Sequence, residues 1–558
     1  MAPRRAGGDL NASSSRAPME GRQRLRGEGG SLGAVGGDAD GNKGGDATVD
    51  VEMGEAAELA YSATVPTNRQ VVPYSQYMTQ SKGAQAPSQV HPQQAPPAPP
   101  DSGGQVFKEV SVPSEIAHCE GRIQDIAFAL ERKRERERRM KVFRGEGVLI
   151  KPSEGKDHRE LVELSNLDLV AYPMYNKVVY VFEAPTPSSE MLKEGLAKVL
   201  AEFREWAGRY TKETPNGCLG INLNDEGVLV IEGKADGTIA DAMPFHPSSF
   251  LLELVPPTST MVDELLLMQF TRFACGGLVI GLASHHHVAD GQATTLFMNS
   301  WGKVVRGEII LPPVHDRSLL KARDPPQPCF DHYEYSNITH GHCSIDSNLT
   351  IKKLHFDAIF LQELKLKVKG GSNNARKYYT TFEVIVAHMW KCITKARGLD
   401  GVIKTKASIS VDGRKRVNPS LPKEYFGNVV YDSSAQSIAS EIINRPLDII
   451  AELIHMAITK VDDSFIHSAI DFLELRKQSL GPARVNDAFD VIPVSWMKFP
   501  INSFHFGMGQ PLYVGPSLML VEGLIILFDS YANVGGVDVV VCLSRAHMTE
   551  LEHYCFHV

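Results

Sequence analysis

A strand, a tight loop and a helix around residue 286 constrain the fold of this chain more than any other feature. The apolar run LVIGLA leads into SHHHVADG (Ser284–Gly291), and the following GQATTLFMNSWGKVV has its apolar residues at helical spacing. One face of this helix would carry Ala293, Phe297, Trp301 and Val304. His286 then lies in the loop at the end of a buried strand, and Asp290 lies at the helix start. Loops on such a scaffold commonly carry reactive side chains, so we predict an α/β fold with a site at His286.

Two simpler interpretations of this loop stay open. Asp290 stands in the position of an N-cap, whose carboxylate accepts backbone N–H bonds, and such a cap would also fix the loop that carries His286. The three adjacent histidines, His285 to His287, could be metal ligands, but no further ligand stands at metal spacing. We therefore expect no bound metal, and we expect His285 and His287 to be structural. The H-x-x-x-D pattern alone is a weak signal, because it arises often by chance.

The composition of the chain changes sharply near residue 105. Residues 1–104 contain Gly-rich stretches and a Gln/Pro tract, and such segments bury too little apolar surface to offset the entropy of ordering. We predict a disordered low-complexity extension over 1–104. Residues 105–142 form a predicted helical segment that ends in ERKRERERRMK (Glu131–Lys141). Interleaved opposite charges favour a solvated helix held by i,i+4 pairs, with a nuclear-localisation or partner-binding role as the alternative.

From about Phe143 to residue 558 the chain has globular character. Over the whole sequence 43% of residues are hydrophobic and 22% are charged, which is an ordinary globular composition. A stretch of this length exceeds one ordinary core, so two domains are expected. We predict an N-terminal domain over 143–345, a crossover over 346–374 where the sequence is marked by Asn and Gly, and a C-terminal domain over 375–558.

Local patterns predict several secondary-structure elements within these two domains. Period-2 or continuous apolar runs indicate strands, and apolar residues at a period of 3.6 indicate helices. The elements predicted in this way are a strand at Val178–Ala184, a helix at Leu192–Trp206, a hairpin turning at Cys275-Gly276-Gly277, a helix at Thr380–Gly398, and a C-terminal strand followed by a terminal helix.

Charge, cysteine pattern and hydropathy argue against several classes of protein. The formal net charge of -8 disfavours a nucleic-acid-binding protein, whose footprint is basic. The eight cysteines form no C-x-x-C pair and no Cys/His metal spacing, which indicates reduced thiols in a cytosolic protein. No apolar run reaches the ~18 residues of a membrane span, and the N-terminus lacks the apolar core of a secretory signal. We therefore expect a cytoplasmic protein without a membrane span.

Several segments, taken together, resemble one family. HHHVADG resembles the H-x-x-x-D-G motif of the BAHD acyltransferases, and VDGRKRVNPSLPKEYFGNVV (Val411–Val430) resembles their D-G-R-x-R-x-x-P-x-L-P-x-x-Y-F-G-N segment. SNLDLV (Ser165–Val170), FACGGLVIGL and DRSLLKARDPPQP (Asp316–Pro328) resemble the hydroxycinnamoyl-CoA shikimate/quinate hydroxycinnamoyltransferases of that family. HFGMGQP (His505–Pro511) falls where the family has DFGWGKP. The resemblance runs in order from about Phe143 to the C-terminus.

The resemblance implies a chloramphenicol acetyltransferase-like fold, with two similar-sized mixed-sheet domains around a central channel. It implies acyl-CoA as a co-substrate, no bound cofactor, and a small acceptor that enters from the other mouth of the channel. His286 would be the general base that takes a proton from the acceptor, a task that suits an imidazole near neutral pH. Asp290 would be structural and would hold the loop of His286. We expect a plant-type enzyme that acts as a monomer, binds small molecules and binds no nucleic acid.

Two positions of the last motif depart from the family pattern. His505 replaces an aspartate that in the family pairs with an arginine of the central segment, here Arg414, and a histidine would not replace that ion pair. Met508 replaces a tryptophan that helps to line the active site and can donate an indole N–H toward the developing oxyanion. Methionine has no donor, and the loss of one oxyanion donor costs about 2.7–4 kcal/mol in the barrier. We thus expect Met508 to line the substrate site without that donor.

The predicted substrate-binding positions also differ from the shikimate/quinate pattern. SWMKFP (Ser495–Pro500) matches a family SWxRLP segment in which the arginine clamps the acceptor carboxylate, so Lys498 keeps the charge but loses the bidentate fork. Where the family has HTPSVY this chain has YNKVVY, and only Tyr180 persists as an expected substrate contact. CoA phosphates would meet Arg376 and Lys377, with a solvated charge pair as an equally open alternative.

These features predict an acyltransferase that moves a hydroxycinnamoyl-type group from CoA to a hydroxyl acceptor, by default shikimate or quinate. One alternative keeps the chemistry and changes the acceptor to a fatty alcohol, a hydroxy-fatty acid or an amine. Another alternative is a catalytically impaired relative that acts as a binding or interaction protein. His505 and Met508 motivate this second alternative, whereas the intact His286 and Asp290 argue against it.

Overall fold

The computed structural model describes residues 140–155, 160–214, 217–258, 262–335, 348–370, 378–477, 480, 488–518, 521–530 and 535–557. The predicted disordered extension, and the charged helical segment as far as residue 139, lie outside these ranges. Residues 140–142, the end of that predicted segment, are described and are not helical, since β1 begins at Val142.

Strands and helices alternate through both halves of the described chain. The strands are β1 (Val142–Ile150), β2 (Glu160–Glu163), β3 (Tyr175–Phe182), β4 (Arg209–Thr211), β5 (Gly220–Leu223), β6 (Val228–Ala235), β7 (Leu266–Phe273), β8 (Leu278–His285), β9 (Leu349–Phe356), β10 (Lys404–Asp412), β11 (Val430–Ile438), β12 (Ile492–Ser495), β13 (Tyr513–Pro516), β14 (Leu524–Asp529) and β15 (Val537–Ser544). The helices are α1 (Asn166–Val170), α2 (Ser189–Leu200), α3 (Ile239–Ala242), α4 (Ser249–Glu253), α5 (Gly291–Val305), α6 (Ala358–Gly370), α7 (Thr381–Ala396), α8 (Ala439–Asn444), α9 (Leu447–Lys460), α10 (Asp463–Glu474) and α11 (Arg545–Tyr554).

Six strands form the main sheet of the N-terminal half, in the order β1-β6-β7-β8-β3-β13. β7 and β8 are the predicted hairpin, and Gly276 in its turn has a φ of 82°, a backbone conformation that favours glycine. β13 comes from the C-terminal half of the chain and pairs antiparallel with β3. The two halves therefore share one sheet, because the late strand β13 covers the edge of the early strand β3.

The C-terminal half is built on a four-stranded sheet in the order β12-β14-β15-β9. β9 and α6 lie within the predicted crossover 346–374, and β9 pairs along its whole length with β15. The crossover is thus a structural part of the C-terminal half rather than a plain connection. The smaller sheets are β10-β11 and β2-β5-β4.

Of the helices predicted within the described residues, those after His286, at Thr380–Gly398 and at the C-terminus are confirmed, and one is corrected. Thr380 caps α7 and accepts a bond from the amide of Glu383, and Gly398, with a φ of 58°, follows its last turn, as predicted. The expected helix Leu192–Trp206 is wrong as one element. α2 ends at Leu200, Phe203 leaves the helical region, and a separate 3₁₀ turn covers Arg204–Ala207.

A hydrophobic core between α2, α5 and the main sheet fixes the position of the loop after β8. The side chains of Phe203, Phe297 and Trp301 are fully buried there, and the indole of Trp301 on α5 donates to the carbonyl of Leu192 on α2 (3.1 Å). The same core takes in Phe426 from the C-terminal half. Residues of both halves therefore meet where β8 ends and α5 begins.

Candidate active site

His286 follows directly after β8, a strand that is buried along its whole length. The amide of His286 donates to the carbonyl of Met174 (2.9 Å), just before β3, and only 1% of the residue is exposed. Two residues earlier, Ser284 lies directly opposite Asn176 of β3. Both are buried, and neither the Ser284 Oγ nor the Asn176 Oδ1 has a hydrogen-bond partner among the described residues. The loop therefore combines a buried imidazole with two neutral polar groups close to it.

Asp290 is the N-cap of α5, which confirms the simpler interpretation of this residue. Its Oδ1 accepts a bond from the amide of Ala293 (2.9 Å), and its Oδ2 accepts one from the amide of Val429 (2.9 Å) in the central segment. The side chain is fully buried. Asp290 thus joins the start of α5 to a segment of the C-terminal half.

Arg414 supplies the counter-charge for Asp290. Its two terminal nitrogens donate to the two carboxylate oxygens at 2.8 and 2.9 Å, and further bonds run to Asp412 Oδ1 (2.9 Å) and the carbonyl of Gly427 (2.9 Å). Burial opposes the charge on Arg414, but the neighbouring carboxylates outweigh it and raise the pKa of the guanidinium. Arg414 therefore stays charged and holds the loop from the side of the C-terminal half.

Asn428 and Asp168 belong to the buried hydrogen-bond network at the histidine loop, although neither was predicted as a site residue. The carboxamide nitrogen of Asn428 donates both to the carbonyl of His286 (2.8 Å) and to Asp168 Oδ1 (2.8 Å). Asp168 is fully buried and closes a capping box with Ser165 at the start of α1. The S-x-x-D spacing in SNLDLV could have predicted this cap. For Asn428 the sequence offered no signal beyond its place in the YFGN segment.

Burial sets the protonation of the histidine loop. It lowers the pKa of His286, although Asp290, Asn428 and Asp168 favour the charged form. Burial and the neighbouring histidines lower the pKa of His285 well below its usual value, and burial lowers the pKa of His287 to about 4. All three imidazoles are accordingly neutral near pH 7, and a neutral imidazole can accept a proton.

The flanking histidines make contacts that hold the loop in place. The Nδ1 of His285 lies 2.5 Å from the hydroxyl of Tyr210 on β4, and the Nε2 of His287 lies 3.2 Å from the carbonyl of Ala171. Burial also raises the pKa of Tyr210 well above its usual value, so its hydroxyl stays protonated and can donate to His285. These contacts agree with the expectation that His285 and His287 are structural.

The predicted substrate-binding residues are spread over several parts of the structure. Lys498 is exposed in the loop after β12, has a φ of 63°, and donates its amide to Asp529 Oδ2 (2.9 Å). Tyr180 lies on β3, where its ring packs edge-on against Phe504 with centroids 5.0 Å apart. Arg376 and Lys377 lie outside the described residues. Substrate contacts for all four residues stay predictions.

The structure corrects the expected position of Met508. This residue is partly exposed and lines a cavity of about 120 Å³ together with the chain from Phe182 to Pro187. Tyr175 of β3 pairs with His285, whereas Phe182 pairs with Leu278. At ~3.3 Å per residue the cavity thus lies roughly 23 Å along β3 from the histidine loop. Met508 is therefore far from His286, and its lack of an N–H donor takes no oxyanion contact away from the histidine loop.

The family pattern placed position 505 beside Arg414, and the structure does not bring the two residues together. Arg414 is bound to Asp290 and Asp412 instead. The carbonyl of His505 accepts a bond from Arg306 at the end of α5, and its ring Nδ1 accepts one from the amide of Gly507 (3.1 Å). The departure at position 505 therefore leaves the ion pair at the histidine loop intact.

Within the described ranges there is no cluster of three or more His, Cys, Asp or Glu side chains with a geometry for metal binding. The same ranges contain no helix with both the length and the apolar character of a membrane span.

Comparison with known sequences places this geometry in a family. The family model described as "Transferase family" matches residues 140–557. Agmatine hydroxycinnamoyltransferase 1 of Oryza sativa subsp. japonica is 35% identical over 424 residues, which cover 71% of this chain and 93% of that relative. Shikimate O-hydroxycinnamoyltransferase of Nicotiana tabacum is 34% identical over 440 residues, which cover 75% of this chain and 100% of that relative.

Solved structures share the same architecture. Vinorine synthase superposes with a TM-score of 0.60 at 21% identity, over 74% of this chain and 96% of that chain. F. graminearum TRI101, complexed with coenzyme A and T-2 mycotoxin, gives a TM-score of 0.61 at 16% identity, over 71% of this chain and 97% of that chain. The fold is therefore the two-domain α/β fold of the chloramphenicol acetyltransferase type, as the sequence motifs implied.

With this fold and with the histidine loop at the junction of its halves, the molecule is an acyltransferase. By the match of its family model over residues 140–557, the chain belongs to the transferase family of BAHD acyltransferases.

Proposed function

We propose that this chain transfers a hydroxycinnamoyl group from coenzyme A to a small acceptor, with His286 as the general base. The observation that carries the proposal is the buried imidazole of His286, whose pKa is lowered by burial and whose loop is anchored by the buried pair of Asp290 and Arg414. A base that is neutral at pH 7 and rigidly placed is what proton abstraction from an acceptor requires.

The proposed reaction balances without any group beyond the two substrates. His286 takes the proton of the acceptor O–H or N–H as the acceptor heteroatom forms its bond to the thioester carbonyl carbon. The tetrahedral intermediate collapses, the C–S bond breaks, and the CoA thiolate takes up the proton that His286 has carried. Because the thioester supplies the driving force, the protein contributes placement, proton transfer and stabilisation of the oxyanion.

The identity of the acyl donor is supported by the relatives. Agmatine hydroxycinnamoyltransferase 1 and shikimate O-hydroxycinnamoyltransferase act, by their names, on the same acyl class although they differ in acceptor. We therefore infer a hydroxycinnamoyl-CoA as the donor. Arg376 and Lys377 remain the predicted partners of the CoA phosphates.

For the acceptor, we propose shikimate or quinate as the first candidate, because Lys498 keeps a cation at the position that would meet a carboxylate. An amine or guanidino-amine is the second candidate. Two observations favour it. The agmatine enzyme is as similar to this chain as the shikimate enzyme. Asn176 and Ser284 are two buried neutral side chains near His286, and the oxygen of each lacks a hydrogen-bond partner among the described residues. The carboxamide and hydroxyl oxygens can accept hydrogen bonds from an ammonium or guanidinium group.

A matrix of donors and acceptors tests this proposal. The full chain would be assayed for CoA release with p-coumaroyl-CoA, caffeoyl-CoA and acetyl-CoA, each against shikimate, quinate, agmatine, putrescine and a long-chain alcohol. We expect the hydroxycinnamoyl donors to give the highest kcat/KM, with either the acids or the amines clearly preferred as acceptors. A preference for acetyl-CoA would contradict the donor assignment. A preference for the alcohol would replace both acceptor candidates.

A further inference from the structure

We propose that Asn428 is a positioning residue for His286, and that the buried carboxylate of Asp168 holds Asn428 in place. The inference rests on the proposed role of His286 as the base. Asn428 would act through the main chain of the histidine loop rather than by touching the substrate.

The carboxamide of Asn428 has two N–H donors, and each has a partner. One reaches the carbonyl of His286 (2.8 Å), and the other reaches Asp168 Oδ1 (2.8 Å). The backbone amide of Asn428 donates to the same carboxylate oxygen (3.1 Å). Asn428 is 2% exposed, and Asp168 and His286 are buried as deeply. Water therefore has no access to replace these bonds when one of them is removed.

Hydrogen bonds from both halves of the chain hold the main chain of His286, and Asn428 provides the one from the C-terminal half. The amide of His286 is bound to the carbonyl of Met174 in the N-terminal half, and its carbonyl is bound to Asn428, which lies between β10 and β11 in the C-terminal half. With both main-chain groups fixed, the direction of the imidazole is set by the junction of the two halves. A general base works only within hydrogen-bond reach of the proton it abstracts, so this direction controls the rate.

The carboxylate of Asp168 is itself held rigidly. Its Oδ2 accepts bonds from the amide and hydroxyl of Ser165 (2.9 and 2.8 Å), and Arg317 Nε lies 3.3 Å from the same oxygen. Arg317 also donates to the carbonyls of Phe426 and Val288, one on each side of the junction. Burial opposes the charge on Arg317, but Asp168 and Glu205 raise the pKa of its guanidinium. Asp168 thus keeps a charged partner and a fixed position.

The close packing at this point explains why a glycine precedes Asn428. Gly427 has a φ of 152°, and a Cβ at this position would lie 2.9 Å from the guanidinium carbon of Arg317. Only glycine combines this backbone conformation with the space that Arg317 leaves. The backbone is therefore shaped to present the amide and carboxamide of Asn428 to Asp168 and His286.

The test compares Asn428→Ala with Asn299→Asp, assayed in the full chain with p-coumaroyl-CoA and its best acceptor. Asn299 also donates a side-chain bond to a carbonyl, that of Pro500 (3.1 Å), but it lies on α5 away from the histidine loop. We expect Asn428→Ala to lower kcat at least 30-fold with the KM for the acyl-CoA within threefold of wild type. The acid limb of its pH–rate profile should move to lower pH, because the side chain of Asn428, apart from its bond to the main-chain carbonyl, also raises the pKa of the His286 imidazole. Asn299→Asp should leave kcat within twofold.

Two further variants separate the possible failures. If His286→Ala loses turnover but Asn428→Ala keeps kcat within threefold and an unchanged acid limb, the positioning role is wrong and the proposed base stands. If His286→Ala keeps full turnover, the proposed base fails and the positioning role fails with it. Should Asn428→Ala not fold, Asp168→Asn serves instead, since it keeps the shape and an acceptor oxygen. A three- to tenfold lower kcat at unchanged KM supports the inference, and an unchanged kcat overturns it.

Discussion

Asp290 and Arg414, which are 124 residues apart in the chain, form a bidentate ion pair with both side chains buried. Asp290 is at the same time the N-cap of the helix that follows the histidine loop. One carboxylate thus caps the start of α5, accepts a hydrogen bond from the amide of Val429 and neutralises a cation from the other half. The position of His286 therefore depends on contacts between the halves as much as on its own loop.

Replacing Asp290 by asparagine should act mainly through stability. Asparagine can still cap the helix, but it leaves the buried Arg414 with Asp412 as its only described carboxylate partner, and breaking a buried pair costs about 3 kcal/mol or more. We expect a lower denaturant midpoint in urea unfolding, with activity reduced in parallel. Asp462→Asn is the matched control, because Asp462 is an exposed N-cap of α10, and it should lower the free energy of unfolding by a few tenths of a kcal/mol at most. Equal losses in the two variants would refute the special role of the pair.

The pH dependence of turnover follows from the direction of the pKa shift at His286. Burial lowers this pKa from its usual value of 6.5, so the unprotonated base is fully present at neutral pH and is lost only as the pH falls through the lowered value. We expect kcat/KM with an uncharged acceptor to be level between about pH 7 and 8 and half-maximal below pH 6.5. A half-maximal point at pH 7 or above would show that the imidazole is not shielded as described.

Met508→Trp distinguishes the structural position of this residue from the expectation based on the family tryptophan. If position 508 met the developing oxyanion, restoring the indole N–H would raise kcat by two orders of magnitude or more. Because Met508 lines a cavity at the opposite end of β3 from the histidine loop, we expect kcat to stay within twofold. Any effect should appear in thermal stability, since the larger ring would enter that cavity. Steady-state kinetics and a melting curve on the same sample decide between the two.

Lys498 is predicted to matter only for acidic acceptors. A lysine attracts a carboxylate as a point charge and cannot form the two parallel bonds of an arginine. For shikimate or quinate, Lys498→Ala should lower kcat/KM about tenfold or more, the size of a hydrogen bond to a charged group, whereas Lys498→Arg should lower KM. For a neutral alcohol, kcat/KM should stay the same in both variants. Lys303→Ala, an exposed lysine on α5, is the control. If Lys498→Ala leaves kcat/KM unchanged for every acceptor, Lys498 does not contact the substrate.

The sequence predicted those parts of the structure that are encoded locally. The β7–β8 hairpin turns at Gly276, and α7 begins at Thr380, because turn and capping chemistry depend on neighbouring residues. The pairing of Asp290 with Arg414 and the bonds of Asn428 could not be read in this way, since they depend on how distant segments pack. The same limit explains why Met508 was wrongly expected at the substrate site. A motif match shows which family residue Met508 corresponds to, but it does not show how far that residue lies from His286.

The most direct test of the account is the turnover of His286→Ala, measured beside His553→Ala as an exposed histidine control on α11. Removing a general base typically costs 10²–10⁴-fold, so we expect kcat with a hydroxycinnamoyl-CoA to fall at least ~100-fold. Binding of CoA, followed by calorimetry, should change little, and the control should behave as wild type. Turnover of His286→Ala within threefold of wild type would contradict the assignment of His286 as the base.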